Sequence, residues 1–417
     1  MKKLLSLILA ICMLLSVSAA LAEKIEVETE YTDSQLETLK EIVDAFSAET
    51  GIEVDLVTPG SDYETVMKTR MASEDLPDVW GTHGWSVRRY HEFLHALNDE
   101  PWLSRMDQSA TDIVTDADGK VCAACITLTM GGCIYNKDVL DEAGVDPAQI
   151  RSLQDFYDAC EKIKATGKIP VMVGGKDSGN AAGFLAAIMP ALVCDAGSKY
   201  DLGATLLDGT FDWDKYGTEI FGEIAKMVNN GYINTNFTTA DTQAQCETIA
   251  NNEAGFLWRH TQMITTALKY NPDANLGFMP YPSYSGEAMT YKSGEGMAFG
   301  IWKDTEHYEA AAKFVEYVTR KENVEKIALA LGSLPAFTDA TVEGDKAIEA
   351  FRVSQGQFAD VGKYTNVFDR QYFPNGMWGI MGESVTMVVM DPTDAGIAAA
   401  VENMKTNYLD KFEADGN

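Results

Sequence analysis

Three tryptophans lie at positions where a ligand could reach their rings. Trp85 follows a short predicted strand, and Trp258 lies at the end of another. Trp378 lies in a predicted glycine-punctuated loop, residues 373–379, ahead of a helix that is predicted to start near Gly382. An exposed indole ring can stack on a flat apolar ligand face such as that of a pyranose ring. We therefore expect these three side chains to converge on a carbohydrate.

Each tryptophan also fits an ordinary position in the core or at its rim, which for any one of them taken alone is the commoner outcome. Arg259 directly follows Trp258, and flanking Arg, Asn and Glu side chains would supply polar contacts to sugar hydroxyls. If the stacking hypothesis holds, Trp258→Ala and Trp378→Ala each weaken sugar binding with little loss of folding.

Motifs of common enzymes are missing from the chain. There is no G-x-S-x-G nucleophile motif, no H-E-x-x-H zinc motif and no acidic calcium-loop spacing. The glycine cluster at residues 174–179 lacks the Lys and the Ser or Thr that a phosphate loop requires, so it predicts a tight loop only. The 63 acidic residues include no pair that stands out as glycosidic catalysts. We expect no enzyme activity, and a secreted glycosidase stays as the enzymatic alternative.

The cysteines and histidines predict neither a redox centre nor a metal site. Cys122 and Cys125 have C-x-x-C spacing, but their neighbours read as a strand, whereas a reactive thiol pair needs a helix N-terminus. The five histidines lack cysteines or carboxylates at metal-ligand spacing. We expect no metal and no cofactor.

The charge of the chain excludes several kinds of partner. Its 417 residues carry 33 basic and 63 acidic side chains, a net charge of −30 at pH 7. Such a surface repels nucleic acid and anionic lipid, but it permits a cationic ligand such as a polyamine, which is the second functional alternative. A hydrophobic content of 46% supports a folded chain with a sizeable core.

The N-terminus has the pattern of a secretory signal peptide at residues 1–22. Two lysines precede a short apolar run, and Ala20 and Ala22 give the small-x-small cleavage site. Ile11 before Cys12 is too bulky for a lipobox, so we expect an exported, extracytoplasmic protein, with a retained anchor as the alternative. Cleavage would leave six cysteines, for which disulfides and free thiols both stay possible. They are Cys122, Cys125, Cys133, Cys160, Cys194 and Cys246.

Alternating strand and helix patterns predict α/β architecture. Residues 24–28 and 52–57 alternate as strands around a helix whose N-cap would be Ser34 with Glu37 as capping box and Gly51 as its stop, which is a βαβ unit. Ser152 and Asp155 predict the start of a further helix. Further strands are predicted at residues 76–80, 169–173 and 254–258, and further helices at residues 211–230, 308–318, 324–331 and 397–412. No linker divides the chain, which favours two lobes joined by several crossings.

Taken together, short motifs along nearly the whole mature chain resemble one family. They are Phe46 with residues 50–54, Tyr63, residues 76–79, Gly132, residues 134–138, 143–145, 277–282, 293–296, 311–314 and 332–335. In this order and spacing they are similar to the extracellular solute-binding proteins of ABC importers, family 1, the sugar-binding group that includes maltose-binding protein. The missing lipobox and the cysteines at 122, 125 and 133 depart from the family pattern.

The resemblance implies a two-lobed, periplasmic-binding-protein-like (type II) α/β fold with a ligand cleft between the lobes. It implies lobe 1 from residues 23–131 and 293–337, and lobe 2 from residues 132–292 and 338–417. The protein would close like a hinge on a sugar and deliver it to ABC permease subunits, and a monomer is the expected state. By similarity the ligand-binding residues are Tyr31, His83, Trp85, Trp258, Arg259, Glu295 and Trp378.

Overall fold

The structure is a computed structural model that describes residues 23–60, 63–82, 87 and 90–414. The predicted signal peptide at residues 1–22 lies outside the described residues. The chain divides into two compact units. Unit 1 consists of Met1–Thr127, Glu295–Ala330 and Pro335–Thr341, and unit 2 consists of Leu128–Gly294, Leu331–Leu334 and Val342–Asn417. The lobe boundaries predicted from the sequence stay predictions.

Unit 1 is built on a mixed sheet in the order β2-β1-β3-β10-β4. Strand β1 pairs in parallel with β2 and β3, and β10 runs antiparallel to β3 and β4. The strands are β1 (Lys24–Glu28), β2 (Glu53–Val57), β3 (Val79–Gly81), β4 (Ala124–Cys125) and β10 (Ala298–Ile301). The helices are α1 (Asp33–Thr50), α2 (Tyr63–Ser73), α3 (Gln108–Ile113), α11 (Tyr308–Val318) and α12 (Lys321–Leu331).

The predicted βαβ unit at the start of the mature chain is confirmed, with one correction at the helix cap. Helix α1 begins at Asp33 with Thr32 at the N-cap in extended conformation, so Ser34 lies inside the helix rather than at its cap. The helix ends at Gly51 as predicted. Its apolar stripe packs on α11, where the rings of Phe46 and Phe314 lie 5.4 Å apart.

Unit 2 is built on a second mixed sheet in the order β12-β9-β5-β7-β6, with β8 paired to β5. The strands are β5 (Thr127–Asn136), β6 (Ile169–Val171), β7 (Ala254–His260), β8 (Leu276–Met279), β9 (Met289–Glu295), β11 (Leu334–Pro335) and β12 (Gly362–Asn366). The helices are α4 (Lys137–Glu142), α5 (Leu153–Ala165), α6 (Ser178–Val193), α7 (Gly203–Leu207), α8 (Thr218–Asn229), α9 (Thr242–Ala250), α10 (Gln262–Ala267), α13 (Lys346–Gln357), α14 (Phe368–Tyr372), α15 (Met377–Met390) and α16 (Asp394–Ala414).

The sequence predicted the entry of helix α5 correctly. The Ser152 side chain accepts a hydrogen bond from the backbone N–H of Asp155, and the Asp155 carboxylate accepts from the backbone N–H of Ser152 in return. This reciprocal cap satisfies donors that the helix itself leaves open. The helix predicted at residues 211–230 is confirmed as α8, preceded by a π-helical turn at Trp213–Gly217.

The core of unit 2 surrounds helix α6, which is apolar on all sides. Thirteen of its residues are buried, and α15 packs along it. A helix without a polar face requires such complete cover, because any face left in water would expose apolar surface. Within the described residues, no helix combines the length and apolar character that crossing a bilayer requires.

Candidate ligand-binding site

The first turn of α6 contacts polar side chains from two other elements of unit 2, Thr242 and Arg259. The chain leaves strand β6, passes through the glycine cluster at residues 174–179 and enters α6 with Asp177 as N-cap. The Asp177 carboxylate accepts a hydrogen bond from the backbone N–H of Asn180 at 2.9 Å. Ligands of open α/β sheets commonly bind where strands end and helices begin, so this turn is a candidate binding position.

Asn180 links an anion to a cation at this turn. Its side-chain nitrogen donates to the second carboxylate oxygen of Asp177 at 2.6 Å, and its side-chain oxygen accepts from a guanidinium N–H of Arg259. The hydroxyl of Thr242 on α9 lies 3.2 Å from the same nitrogen. The amide orientation follows from these partners, since a carboxylate only accepts and a guanidinium only donates.

Arg259 retains unused hydrogen-bonding capacity. It lies near the end of β7 and is partly buried. In the described part of the chain, no carboxylate lies within 4 Å of its guanidinium, and Asn180 is its hydrogen-bond partner. Burial lowers the pKa of Arg259, with a smaller opposing effect from nearby groups that include Asp177. A guanidinium carries five N–H donors, so several remain for a ligand.

Trp378 lies beside the same turn, but not in the loop that the sequence predicted. Helix α15 begins at Met377 rather than near Gly382, so Trp378 belongs to its first turn. A Cβ atom added at Gly382 would lie 1.9 Å from the Ser178 carbonyl oxygen, so only glycine permits this approach of α15 to α6. Trp378 precedes Gly382 by four residues and therefore lies on the same helix face. A Cβ atom added at Gly179 would lie 3.4 Å from Nε1 of Trp378. Of the Trp378 surface, 36% is exposed.

Trp258 lies in the core, which corrects its expected position at the end of a strand. Strand β7 continues to His260, and only 4% of the Trp258 surface is exposed. Its ring packs against Phe156 at 4.9 Å and against Phe184 and Tyr281 at 5.6 Å between centroids. With its faces covered by aromatic neighbours, the ring offers no surface on which a sugar could stack. The sequence left two roles open for Trp258, sugar stacking and core packing. This environment favours core packing.

His260 follows Arg259 and is the last residue of β7. Burial, followed by the charges of Arg259 and Arg370, lowers the pKa of His260 to about 3. The imidazole is therefore neutral near pH 7. Its Nδ1 atom is buried and has no hydrogen-bond partner among the described residues.

In unit 1 the structure brings Tyr31 and Glu295 together. The Tyr31 hydroxyl donates to the backbone carbonyl of Gly296 at 2.7 Å. Burial raises the pKa of Tyr31 well above its ordinary value, and the negative charges of Glu30 and Glu295 raise it further. Glu295 itself exposes only 3% of its surface. The Tyr31 hydroxyl proton is thus engaged by the backbone rather than available to a ligand.

Two expected site residues, His83 and Trp85, lie outside the described residues, so their sugar-binding role stays a prediction. Sequence reasoning missed Asp177, Asn180 and His260. Asp177 had a detectable signal, because an Asp ahead of a long apolar segment is a typical N-cap. The partnership of Asn180 with Arg259 left no trace in the sequence, since 79 positions separate them.

The remaining titratable side chains of the described residues include a buried ion pair, Lys292 with Asp195 at 2.6 Å. Among the described residues, no group of three or more His, Cys, Asp or Glu side chains could hold a metal ion. The six cysteines left open by the sequence are free thiols, and all except the partly exposed Cys194 are buried. Burial raises the pKa of both Cys122 and Cys246 to about 11, so these thiols stay protonated and unreactive near neutral pH.

Comparison with known proteins gives consistent matches. A family model described as bacterial extracellular solute-binding protein matches residues 32–325. The melibiose/raffinose/stachyose-binding protein MelE of Bacillus subtilis (strain 168) is 30% identical over 372 residues, which are 87% of this chain and 85% of that protein.

Solved structures match over almost the whole chain. A sugar transporter from Bacillus licheniformis, in complex with stachyose, superposes with a TM-score of 0.81 at 30% identity and covers 93% of this chain and 99% of its own. The binding protein msme from Bacillus subtilis, in an open conformation, has a TM-score of 0.85 at 27% identity and covers 96% of this chain and 100% of its own.

Proposed function

Because the chain belongs to the bacterial extracellular solute-binding protein family, we propose that it captures an oligosaccharide outside the cytoplasm for an ABC importer. The predicted α/β fold of periplasmic-binding-protein-like proteins is confirmed by its structural neighbours. The predicted ligand cleft stays a prediction. The proposal concerns which solute is bound and which side chains bind it.

One observation carries the proposal: an exposed tryptophan and an incompletely paired arginine meet at the first turn of α6. Trp378 lies beside Gly179, and Arg259 contacts the next residue, Asn180. A sugar ring offers apolar C–H faces that an indole can cover and hydroxyl groups that accept hydrogen bonds from a guanidinium. The two side chains therefore match both parts of a carbohydrate surface.

The same observation separates a sugar from the cationic alternative. A polyamine site places carboxylates where the ammonium groups bind. Here both oxygens of the Asp177 carboxylate already accept from Asn180, and Arg259 brings a positive charge into the site. Like charges in a partly buried site disfavour binding, because water screens them only weakly there. The net charge of −30 would still attract a polyamine to the outer surface.

We propose α-galactosides of the melibiose, raffinose and stachyose series as the ligands. MelE is named for these three sugars, and the Bacillus licheniformis structure contains stachyose. Both proteins are 30% identical to this chain over most of its length. Arg259 and Trp378 are the proposed contacts in unit 2, and Trp258 supports them from the core. The contacts expected of Tyr31, His83, Trp85 and Glu295 stay predictions.

The protein is proposed to release its sugar chemically unchanged to permease subunits. On this proposal residues 1–22 direct export and are removed, and the mature chain acts as a monomer. A binding protein gains its specificity from paired polar groups, because a ligand that lacks one hydroxyl leaves a buried partner unpaired at a cost of about 1–3 kcal/mol.

Titration calorimetry on the mature protein tests the proposal. The panel contains melibiose, raffinose, stachyose, maltose, galactose and spermidine. We expect one or more of the α-galactosides to bind with a Kd at least about tenfold below those of maltose and spermidine. Chromatography of the recovered sugar should show no hydrolysis after prolonged incubation. Tight spermidine binding with no sugar heat would replace the proposal by the cationic alternative, and released galactose would replace it by a glycosidase.

A further inference from the structure

Asn180 bridges two opposite charges, the Asp177 carboxylate and the Arg259 guanidinium. Both oxygens of the Asp177 carboxylate accept hydrogen bonds from Asn180, one from its backbone N–H at 2.9 Å and one from its side chain at 2.6 Å. The other end of the same amide accepts from Arg259. Asn180 is 6% exposed, whereas the Asp177 side chain lies at the surface.

We propose that Asn180 is the positioning residue of the sugar site, holding Arg259 toward the ligand without neutralising its charge. The inference rests on the proposed function in so far as Arg259 contacts sugar. An amide is the side-chain group that can donate to a carboxylate and accept from a guanidinium while remaining uncharged. The substitution Asn180→Leu would remove both side-chain contacts, which frees Asp177 to take the guanidinium as an ion pair.

The substitution Asn180→Asp gives a sharper distinction, because only the protonated form of the new carboxyl group can imitate the amide. A protonated carboxyl group donates to Asp177 and accepts from Arg259, as the amide does. An ionised one repels the Asp177 carboxylate, which in the wild type accepts from the amide at 2.6 Å, and it binds Arg259 as a salt bridge. Carboxylates this close share one proton, which raises the upper pKa of the pair.

The other titratable groups around the amide do not change charge between pH 5 and 8 in a way that imitates this effect. Burial lowers the pKa of His260 on β7 to about 3 and raises the pKa of Cys246 on α9 to about 11. The Lys176 ammonium, which donates to Asp241 at 2.7 Å, lowers the pKa of that carboxylate. Burial also raises the pKa of Tyr281 beneath Arg259.

The experiment measures raffinose and stachyose affinity by calorimetry near pH 8 and near pH 5 for the wild type, Asn180→Asp and Asn180→Leu. Asn251→Asp is the matched control, because it adds the same charge at the far, exposed end of α9. We expect Asn180→Asp to bind at least about tenfold more weakly than the wild type near pH 8 and to approach it on acidification. Asn180→Leu should bind weakly at both pH values, and the control should follow the wild type.

Crystal structures of the sugar-free wild type and Asn180→Leu complete the test without depending on the ligand. We expect the Arg259 guanidinium of the variant within 4 Å of the Asp177 carboxylate, the distance that defines an ion pair. The inference is overturned if the Arg259 guanidinium has not moved in the variant. It is also overturned if Asn180→Asp binds more weakly than the wild type by the same factor at both pH values. A wild type that binds neither sugar overturns the proposed function instead, and the position of Arg259 then decides the inference alone.

Discussion

Strand β7 and the first turn of α15 belong to the same unit and each carry a tryptophan, yet they use it in opposite ways. Trp258 on β7 has 4% of its surface exposed and is enclosed by aromatic rings from α5, α6 and the segment after β8. Trp378 on α15 has 36% exposed. Both residues are tryptophans and so are candidates for stacking on a sugar. The solvent exposure of each indole ring decides which of them a ligand can contact.

The two units differ in a related way. In unit 1 the candidate hydroxyl of Tyr31 donates to the Gly296 carbonyl, and its aromatic ring is half-buried. In unit 2 Arg259 retains donors beyond its contact with Asn180. We infer that unit 2 supplies the stronger donor among the described candidates, while Tyr31 contributes mainly by fixing the backbone that follows Glu295.

The largest expected effect is on stability, from Trp258→Ala. Removing a buried indole leaves a cavity among packed rings, so we expect a loss of about 3–5 kcal/mol in the free energy of unfolding. Urea denaturation followed by circular dichroism measures it. Trp258→Phe is the control and should retain most of the stability. A loss below about 1 kcal/mol would show that the ring is not part of the core and would restore it as a stacking candidate.

Trp378→Ala should change affinity rather than stability. Because the variant loses a stacking surface, we expect its affinity for the sugar identified by calorimetry to fall about 10–100-fold, or about 1.4–2.8 kcal/mol. Because the ring is partly exposed, the unfolding free energy should change by about 0.5 kcal/mol or less. Tyr270→Ala, which removes an aromatic ring with 40% exposure elsewhere in unit 2, is the matched control. Equal affinities of the two variants would remove Trp378 from the site.

The smallest expected effect is a pH dependence from His260. The folded-state pKa is about 3, whereas an unfolded histidine titrates near 6.5. Above pH 6.5 both states are neutral, so His260 has no effect there. As pH falls below 6.5, the unfolded chain binds a proton that the folded protein does not, and stability decreases.

His260→Asn removes this contribution, so its stability should fall less steeply between pH 7 and pH 5. Because the His260 ring is partly exposed, we expect the changes in unfolding free energy of the variant and the wild type to differ by less than about 1 kcal/mol. Urea midpoints at the two pH values measure it. His307→Asn, at an exposed position, should keep the wild-type slope. A His260→Asn slope equal to that of the wild type would mean that His260 is protonated in the folded protein at pH 5.

Local patterns predicted much of the fold. The alternation at Lys24–Glu28, the stop of α1 at Gly51 and the capping box of α5 all formed as expected, because each depends on residues a few positions apart. The start of α15 was predicted about five residues too late. Its glycines suggested a loop, whereas Gly382 in fact permits close contact with α6.

The sequence by itself determined the α/β class, the family resemblance and the residue types at the site, because these follow from periodicity, caps and short motifs. Only the tertiary structure decided that Trp258 is enclosed, that Trp378 is exposed and that Asn180 stands between Asp177 and Arg259. The physical reason is distance along the chain. Burial and hydrogen-bond pairing arise from elements that are far apart in sequence, and no local pattern records which of them will meet.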